Sequence, residues 1–380
     1  MVSKTFMVSM GMIKRSTLYA GLIGAAGLGL AAGLLWLNFS SPAAQGHSAY
    51  SKDRFRFQVP GLSLESDDAA SIVPGEGQSA QVLYVAPNGD CGVGVDPCFG
   101  SVQAAVDAAE AAAAGGPADE IRVAGGVYTD VHQRAGITQV VYLSKTVTIR
   151  GGYIAGSLDG SAWTTSYPLT QPTTLDAGGQ GRGLYVTGTI SATIEGLRIT
   201  GGYAHQSGDN VQNGGGIAIA GAAVVLKHNR ITGNSARFGG GVHLRLGSTA
   251  TLRENTISLN VADHGGGLAV QDSSLARLEN NAITSNIGHQ DGGGVYLSGS
   301  DAVLDDNTFT SNATTGYGGG IYIYASQARL SRNTLTSNRA ARIGDSLAYG
   351  GGLAVFNYSD AVLDDNRIAS NSADDNGGGI

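Results

Sequence analysis

Charged side chains at matching positions of a repeat are the first feature of the sequence that could do chemistry. Four carboxylates and an arginine recur there, namely Glu254, Glu279, Asp305, Asp306 and Arg332. Clustered carboxylates suit Ca²⁺, and an arginine can act as the base of a polysaccharide lyase. Interspersed charges of this kind are more typical of a solvated outer face. We therefore expect a solvated strip, with these residues as weak catalytic candidates and Ca²⁺ required only under the lyase alternative.

A second set of polar residues falls near one corner of adjacent repeats. It comprises Asp263, His264, His289 and Asp291. Imidazole and carboxylate groups are common metal ligands, but no spacing among these four residues singles out a ligand set. The sequence therefore predicts neither a bound metal nor a cofactor.

Aromatic side chains form the third candidate site. After each triple glycine the residues alternate with period two, which directs two rows of side chains outward. These rows contain Tyr296, Tyr322, Tyr324, Phe356, His243 and Arg245. Aromatic rings beside polar groups suit a polysaccharide or a surface protein as ligand. Ordinary cross-strand pairing of aromatic residues is the more common explanation. We predict an exposed aromatic face and keep both interpretations.

The elements that position these residues come from an internal repeat of about 26 residues. Triple glycines begin at Gly214, Gly239, Gly265, Gly292, Gly318, Gly350 and Gly377. Asparagines keep the same period at Asn229, Asn255, Asn281, Asn307, Asn333 and Asn366. A second asparagine follows each of these five residues later. Units this short cannot bury a core alone, so each must stack on copies above and below.

The repeat predicts an all-β fold, a single-stranded right-handed parallel β-helix with three short strands per coil. Aliphatic residues two apart after each triple glycine point inward, as Val242 and Leu244 do. Coils in such a solenoid lie about 4.8 Å apart. Inward asparagines at the corners can satisfy unpaired backbone groups and bond to the asparagine of the next coil. A leucine-rich repeat is disfavoured, because asparagine replaces leucine at a key position and no helical half-repeat is present.

The chain divides into four regions. Residues 1–44 combine basic residues with a long apolar stretch, which predicts a signal peptide, or an N-terminal membrane anchor if it is not cleaved. Residues 45–80 are a polar linker, and 81–213 form a cap and the first irregular coils, with a capping helix over 101–114. Regular coils fill 214–380. The sequence stops within a coil at "GGGI", so we expect the natural protein to continue.

Composition narrows the possible partners. The chain has 380 residues, 60 of them glycine, and a formal net charge of −7. The acidic balance argues against a nucleic-acid partner, and only the N-terminal segment would contact a membrane. Cys91 and Cys98, the two cysteines, flank a short loop and predict a local disulfide in an exported protein. The sequence therefore favours a secreted or cell-surface location.

The repeat resembles a known class of sequence. "GGGVYL" with "FTSN" is similar to the GG-x-Φ and F-x-x-N repeats of polymorphic outer-membrane proteins. The flanking "EIRVAGGVY" and "VTIRGGY" resemble exported bacterial proteins with right-handed parallel β-helix repeats of the pectate-lyase-like type. This resemblance implies the β-helix fold and an adhesive or structural role at the cell surface. The alternative it leaves open is a carbohydrate-active enzyme, although the GHG and RIK signatures of polygalacturonase-like hydrolases are missing.

Overall fold

The computed structural model describes residues 79–109, 117–156, 162–205, 213–344 and 346–380. All of these residues belong to one compact unit, Ile72–Ile380. The predicted signal or anchor segment lies outside the described residues, as does the linker up to residue 78. Within the described ranges, no helix is long and apolar enough to cross a membrane.

Four sheets run along the solenoid, and each regular coil contributes one strand to each sheet. Sheet I contains the strands His132–Arg134, Ile137–Leu143, Arg182–Thr187, Ile217–Ala220, Val242–Arg245, Leu268–Gln271, Val295–Ser298, Ile321–Tyr324 and Leu353–Phe356. Sheet II contains Cys98–Phe99, Val82–Val85, Asp119–Ala124, Val147–Tyr153, Ser191–Glu195, Ala223–Lys227, Thr249–Arg253, Leu275–Glu279, Asp301–Asp305, Gln327–Ser331 and Asp360–Asp364.

The other two sheets complete the coil. Sheet III contains Gly126–Tyr128, Thr173–Asp176, Leu197–Thr200, Arg230–Thr232, Thr256–Ser258, Ala282–Thr284, Thr308–Thr310, Thr334–Thr336 and Arg367–Ala369. Sheet IV contains Tyr203–Ala204, Ser235–Phe238, Val261–His264, Ile287–Asp291, Ala313–Thr314, Arg339–Ala340 and Ser372–Ala373. Among the described strands, the pairings are parallel except for the hairpin between His132–Arg134 and Ile137–Leu143.

The strand count per coil corrects the prediction of three. The strands of sheet IV were missed because each buries little more than one small residue, such as Ala236 or Ala262. A strand that short gives no visible alternation of apolar side chains. The three predicted strands correspond to sheets I, II and III.

Equivalent side chains stack in register along the axis and fill the core. Leu252 pairs with Leu278, and Leu278 pairs with Leu304. Each of the three is at most 1 % exposed. Because a parallel strand places identical residues over one another, the core is a set of continuous apolar columns rather than a mixed cluster.

Both asparagine series form the predicted buried ladders. Asn281 Oδ1 accepts hydrogen bonds from the backbone N–H of Asn255 at 2.9 Å and from its side-chain amide at 3.0 Å. The Asn281 amide donates in turn to Asn307 Oδ1 at 2.9 Å and to the Leu252 carbonyl at 2.8 Å. A third ladder, of serines at the corner between sheets I and II, was not predicted. It runs through Ser248, Ser274, Ser300, Ser326 and Ser359.

The cap matches the prediction where the structure describes it. A helix spans Val102–Ala108, and the Ser101 hydroxyl accepts a hydrogen bond from the Ala104 N–H at 3.2 Å, as an N-cap does. Residues 110–114 of the predicted helix lie outside the described residues. A short 3₁₀ turn spans Pro87–Gly89. Cys91 and Cys98 form the predicted disulfide.

Candidate functional site

A re-entrant corner separates sheet IV from sheet I. The chain turns at the first glycine of each triple, for example Gly239 at φ +62° and Gly265 at φ +66°. A Cβ atom on Gly239 would lie 2.9 Å from the Cβ of His243. The backbone before the turn therefore lies beside the outward side chains of the strand that follows, which leaves a concave surface along the corner.

Three rows of side chains line this concave surface, which we call the groove. The first wall consists of the residues before each triple glycine, namely Phe238, His264, Asp291, Tyr317 and Tyr349. The floor consists of His243, Ala269, Tyr296, Tyr322 and Ala354 on sheet I. The far wall consists of Arg245, Gln271, Ser298, Tyr324 and Phe356. The rows run along the solenoid axis because their members lie on successive coils.

Rings from all three rows make one continuous series of contacts. Phe238 stacks on His264 with ring centroids 4.9 Å apart, and His264 lies 5.0 Å from Tyr296. The series continues through Tyr322, Tyr317 and Phe356, with centroid separations of 5.6 Å for Tyr296–Tyr322, 5.8 Å for Tyr317–Tyr322 and 4.9 Å for Tyr317–Phe356. An aromatic path of this length offers several flat apolar faces in a line.

The structure corrects the prediction that the aromatic face is exposed. Tyr296 and Tyr322 are 9 % and 6 % exposed, and His243 is 1 % exposed. The first wall covers these floor residues, and that wall was not predicted from the sequence. Tyr324 is 39 % exposed, whereas Arg245 and Phe356 are half-buried. All six predicted residues nevertheless lie in the floor and far-wall rows of the groove.

The residues that sequence reasoning missed are those of the first wall. The signal was present, because the residue before successive triple glycines is Phe238, His264, Asp291, Tyr317 and then Tyr349. A column of ring-bearing and charged residues next to a glycine corner is unusual in a turn, where small polar residues prevail. All five side chains are half-buried, so each keeps a surface that faces the groove.

A histidine and a carboxylate lie together in the middle of the groove. His264 Nδ1 is 3.3 Å from Asp291 Oδ2, which is ion-pairing distance without hydrogen-bond geometry. Asp291 Oδ1 accepts a hydrogen bond from the Tyr317 N–H at 3.1 Å. Of the four residues considered as metal ligands, the structure brings these two into contact, whereas His289 points to solvent. In the part of the chain that is described, no three His, Cys, Asp or Glu side chains are arranged to hold a metal ion.

Burial keeps the tyrosines of the floor protonated. Desolvation raises the pKa of Tyr296, and the Asp291 carboxylate adds to the effect although a hydrogen bond from Ser298 opposes it. Desolvation likewise raises the pKa of Tyr322, again with a contribution from Asp291. Both phenols are therefore neutral hydroxyl groups that can donate to, and accept from, a bound molecule.

Acid should destabilise the protein partly through His243. Burial lowers the pKa of this histidine from 6.5 to about 3. Between these two pH values the unfolded chain binds more protons than the folded protein. His243 therefore lowers the free energy of unfolding by about 1.4 kcal/mol for each pH unit below 6.5, and it causes no loss above pH 6.5. We expect urea unfolding of His243→Gln to lose free energy less steeply than the wild type as the pH falls from 6.5. Equal slopes would contradict this assignment.

The predicted acidic strip lies at a different corner, between sheets II and III. Its carboxylates are paired with arginine or histidine side chains. Asp306 and Arg332 form a bidentate pair at 2.9 and 2.8 Å. Glu279 pairs with Arg253 at 2.6 Å and with Arg277. The remaining contacts are Asp305 with Arg277 at 3.7 Å and with Arg332 at 3.8 Å, and Glu254 with His228.

Pairing with arginine favours the charged form of two of these carboxylates, Glu279 and Asp306. Burial alone would raise the pKa of Glu279, but hydrogen bonds from Arg277 and Arg253 outweigh burial and lower it. The hydrogen bond from Arg332 lowers the pKa of Asp306. The carboxylates alternate with bases along the axis, as in a solvated ladder of ion pairs, instead of converging on one point.

The stacked, parallel, four-sheet coil with ladders at its corners defines the class of parallel β-helix proteins. The sequence model described as "Right handed beta helix region" matches residues 173–339 and 267–380. These matches together cover more than half of the chain, so the chain belongs to the right-handed β-helix family.

Two further comparisons add little to this assignment. The crystal structure of an alginate lyase from Paenibacillus sp. str. FPU-7 is similar at 17 % sequence identity and a TM-score of 0.37, over 75 % of this chain and 99 % of that chain. A likeness this remote carries no argument about chemistry. No curated protein sequence matches the chain.

Proposed function

We propose that the protein is an exported binding protein that holds an extended glycan chain in the groove. The observation that carries this proposal is the continuous aromatic path from Phe238 to Phe356. Sugar rings present apolar faces that pack on aromatic side chains, and hydroxyl edges that need polar partners. The groove supplies both kinds of surface in rows parallel to the axis.

The regular spacing of the coils fits a ligand that extends along the solenoid axis. Successive coils lie about 4.8 Å apart, so each coil presents an equivalent set of wall, floor and far-wall groups at that interval. Asp291 and Ser298 belong to the same coil as Tyr296, and Gln271 belongs to the coil before it. A chain of linked rings that follows the axis would meet a ring-binding surface and a polar edge on successive coils.

Export is the second part of the proposal. The Cys91–Cys98 disulfide supports it, because disulfides persist mainly in oxidising compartments. The basic and apolar N-terminal segment supports it independently. A structural or adhesive role at the cell surface follows if the bound glycan belongs to a surface layer or a neighbouring cell.

Tyr317→Ala is expected to weaken glycan binding about tenfold or more, because the ring contacts Tyr322, Tyr349 and Phe356 along the path. A loss of about 1.4 kcal/mol, near the upper end for one aromatic contact, is a factor of ten. A glycan array of neutral and acidic oligosaccharides would identify ligands, and calorimetric titration would give affinities. Tyr358→Ala is the matched control, since Tyr358 is fully exposed outside the groove.

Equal losses in the two variants, or binding that neither affects, would contradict a site in the groove. Failure of every glycan on the array to bind would contradict the glycan itself and leave a protein partner as the ligand. Neither tyrosine belongs to the main apolar core, but Tyr317 packs against the smaller cluster around Tyr296 and Tyr322. Thermal unfolding of both variants would therefore separate a loss of binding from a loss of fold.

A second candidate function is cleavage of the same glycan, and the His264–Asp291 contact beside Tyr296 favours it. An imidazole oriented by a carboxylate is a common arrangement for a general acid or base. Incubation with the glycans retained on the array should release no new chain ends if the protein only binds. Release that is lost in His264→Ala would establish an enzyme instead. Release that requires Ca²⁺ and is lost in Asp305→Ala with Asp306→Ala would instead place the chemistry at the ion-pair strip.

A further inference from the structure

One end of the groove is basic. Arg245 belongs to the far wall there, and Arg237 directly precedes Phe238 of the first wall, at the position that Asp263 occupies on the next coil. We propose that the glycan is anionic, and that these two arginines bind a carboxylate of a uronic acid unit at this end. The inference rests on the proposed glycan function and specifies the chemistry of the ligand.

Neither arginine has an acidic partner among the described residues. The Arg237 guanidinium carbon lies 5.3 Å from the centre of the Phe238 ring, and this ring is the contact that the structure gives it. Arg245 is half-buried, and its Nε atom is buried without a hydrogen-bond partner in the described part of the chain. A buried guanidinium N–H without an acceptor is destabilising, which a bound anion would relieve.

Arginines on sheet II, and at its corner with sheet III, do have acidic partners. Arg150 lies 2.7 Å from Glu120, Arg253 lies 2.6 Å from Glu279, and Arg332 lies 2.8 Å from Asp306. A chain with more acidic than basic residues has carboxylates available for its arginines. Arg198, Arg230 and Arg367 on sheet III also have no acidic partner among the described residues, but these three lie outside the groove. A planar guanidinium with several N–H groups is well suited to a carboxylate.

The floor beneath the two arginines holds a buried acceptor without a partner. His243 Nε2 lies 3.0 Å from Gln271 Oε1, an acceptor, so Nε2 carries the proton and donates. Nδ1 is then an acceptor, and it is buried without a hydrogen-bond partner in the described residues. Burial, together with the charges of Arg245 and Arg182, keeps the ring neutral by lowering its pKa. An unpartnered polar atom therefore lies next to the site proposed for the anion, on a side chain that is 1 % exposed in the unbound protein.

The other charges that face the groove limit where the anion can bind. Asp291 lies two coils from Arg245, against His264 and Tyr317, and Asp263 precedes His264. Beyond Asp291 the groove is lined by Tyr317, Tyr349 and Phe356 without a basic side chain in its three rows. We expect the carboxylate at the Phe238 end and uncharged ring faces against the tyrosines.

The experiment compares each polyuronate with its own carboxyl-reduced form, which keeps the linkage and loses the charge. Oligogalacturonate, oligomannuronate and hyaluronan oligosaccharides serve as probes in calorimetric titrations of the intact protein. The wild type should bind at least one acidic form about tenfold more tightly than its reduced form, and added salt should diminish the difference. Arg245→Gln should remove most of that preference and leave the affinity for the reduced form unchanged.

Arg230→Gln is the matched control, because Arg230 is exposed on sheet III outside the groove. Equal affinity for acidic and reduced forms, or a preference for neutral glycans on the array, would overturn the inference and leave the proposed function standing. A preference that survives Arg245→Gln would place the anion elsewhere and also overturn it, whether or not Arg230→Gln affects it. Absence of binding to every glycan, neutral or acidic, would instead defeat the proposed function.

Discussion

Asn281→Ala is expected to lower the free energy of unfolding by about 4 kcal/mol, because several buried partners lose their hydrogen bonds at once. The Asn281 side chain accepts from the N–H and the amide of Asn255, and donates to the carbonyl of Leu252 and to Asn307 Oδ1. Alanine can replace none of these contacts. Water cannot replace them either, since the ladder residues are at most 2 % exposed from Asn229 to Asn333.

Asn280→Ala provides the matched comparison on the same coil. Asn280 directly precedes Asn281 in the chain, but it is exposed. Water can therefore replace contacts of its side chain, and we expect less than half the effect of Asn281→Ala. Urea unfolding followed by circular dichroism would measure both. Equal midpoints for the two variants would contradict the view that buried amide ladders hold the coils in register.

Gly266→Ala is expected to destabilise the protein by at least about 3 kcal/mol, as overpacking against fixed atoms does. A Cβ atom at this position would lie 2.4 Å from the Ile287 carbonyl oxygen and 2.6 Å from two further backbone atoms of Ile287. The contact is with the backbone of the next coil. No side-chain rotation can relieve it, so the two coils must separate.

Gly299→Ala is the control for the loss of glycine itself. A Cβ there would have no atom within 4 Å, although φ is +58°. The corresponding corner of the next coil already carries Ala325 at φ +47°. We expect a loss of only about 1 kcal/mol from the left-handed backbone conformation. Thermal unfolding of the two variants side by side would test the distinction, and equal losses would contradict close coil contact as the reason for the glycine triplets.

The fold was predictable because successive coils of a solenoid have similar sequences. Asn255, Asn281 and Asn307 recur at a fixed period, and stacked coils translate a period in sequence directly into a column in space. The same periodicity placed Leu252, Leu278 and Leu304 in the core and Tyr296 beside Tyr322. The disulfide and the Ser101 cap followed from local signals that do not depend on the rest of the fold.

The shape of the groove was not predictable from the same patterns. Alternation of apolar and polar residues predicts which side chains point out of the core. It does not predict whether the outer surface that they form is flat or concave. Concavity comes from the left-handed turn at the first glycine of each triplet, which directs Phe238 and His264 over the strand that follows. Tyr296 and Tyr322 are consequently buried, and the prediction of an exposed face was wrong for them.

The charged strip was also predictable only in part. Residue spacing correctly put Glu279, Asp305 and Asp306 on adjacent coils, yet spacing could not show that Arg253, Arg277 and Arg332 would neutralise them. Pairing depends on which way long side chains extend across neighbouring coils, and a repeat unit does not specify that direction. Unpaired arginines in the groove were invisible for the same reason.

The most direct test of the account is a crystal structure of the protein with an oligosaccharide identified on the array. We predict sugar rings lying along the solenoid axis in the groove between sheets IV and I, with at least one ring against Tyr317 or Phe356. Sugar bound on the outer face of sheet II or sheet III, with the groove left open, would contradict the central claim.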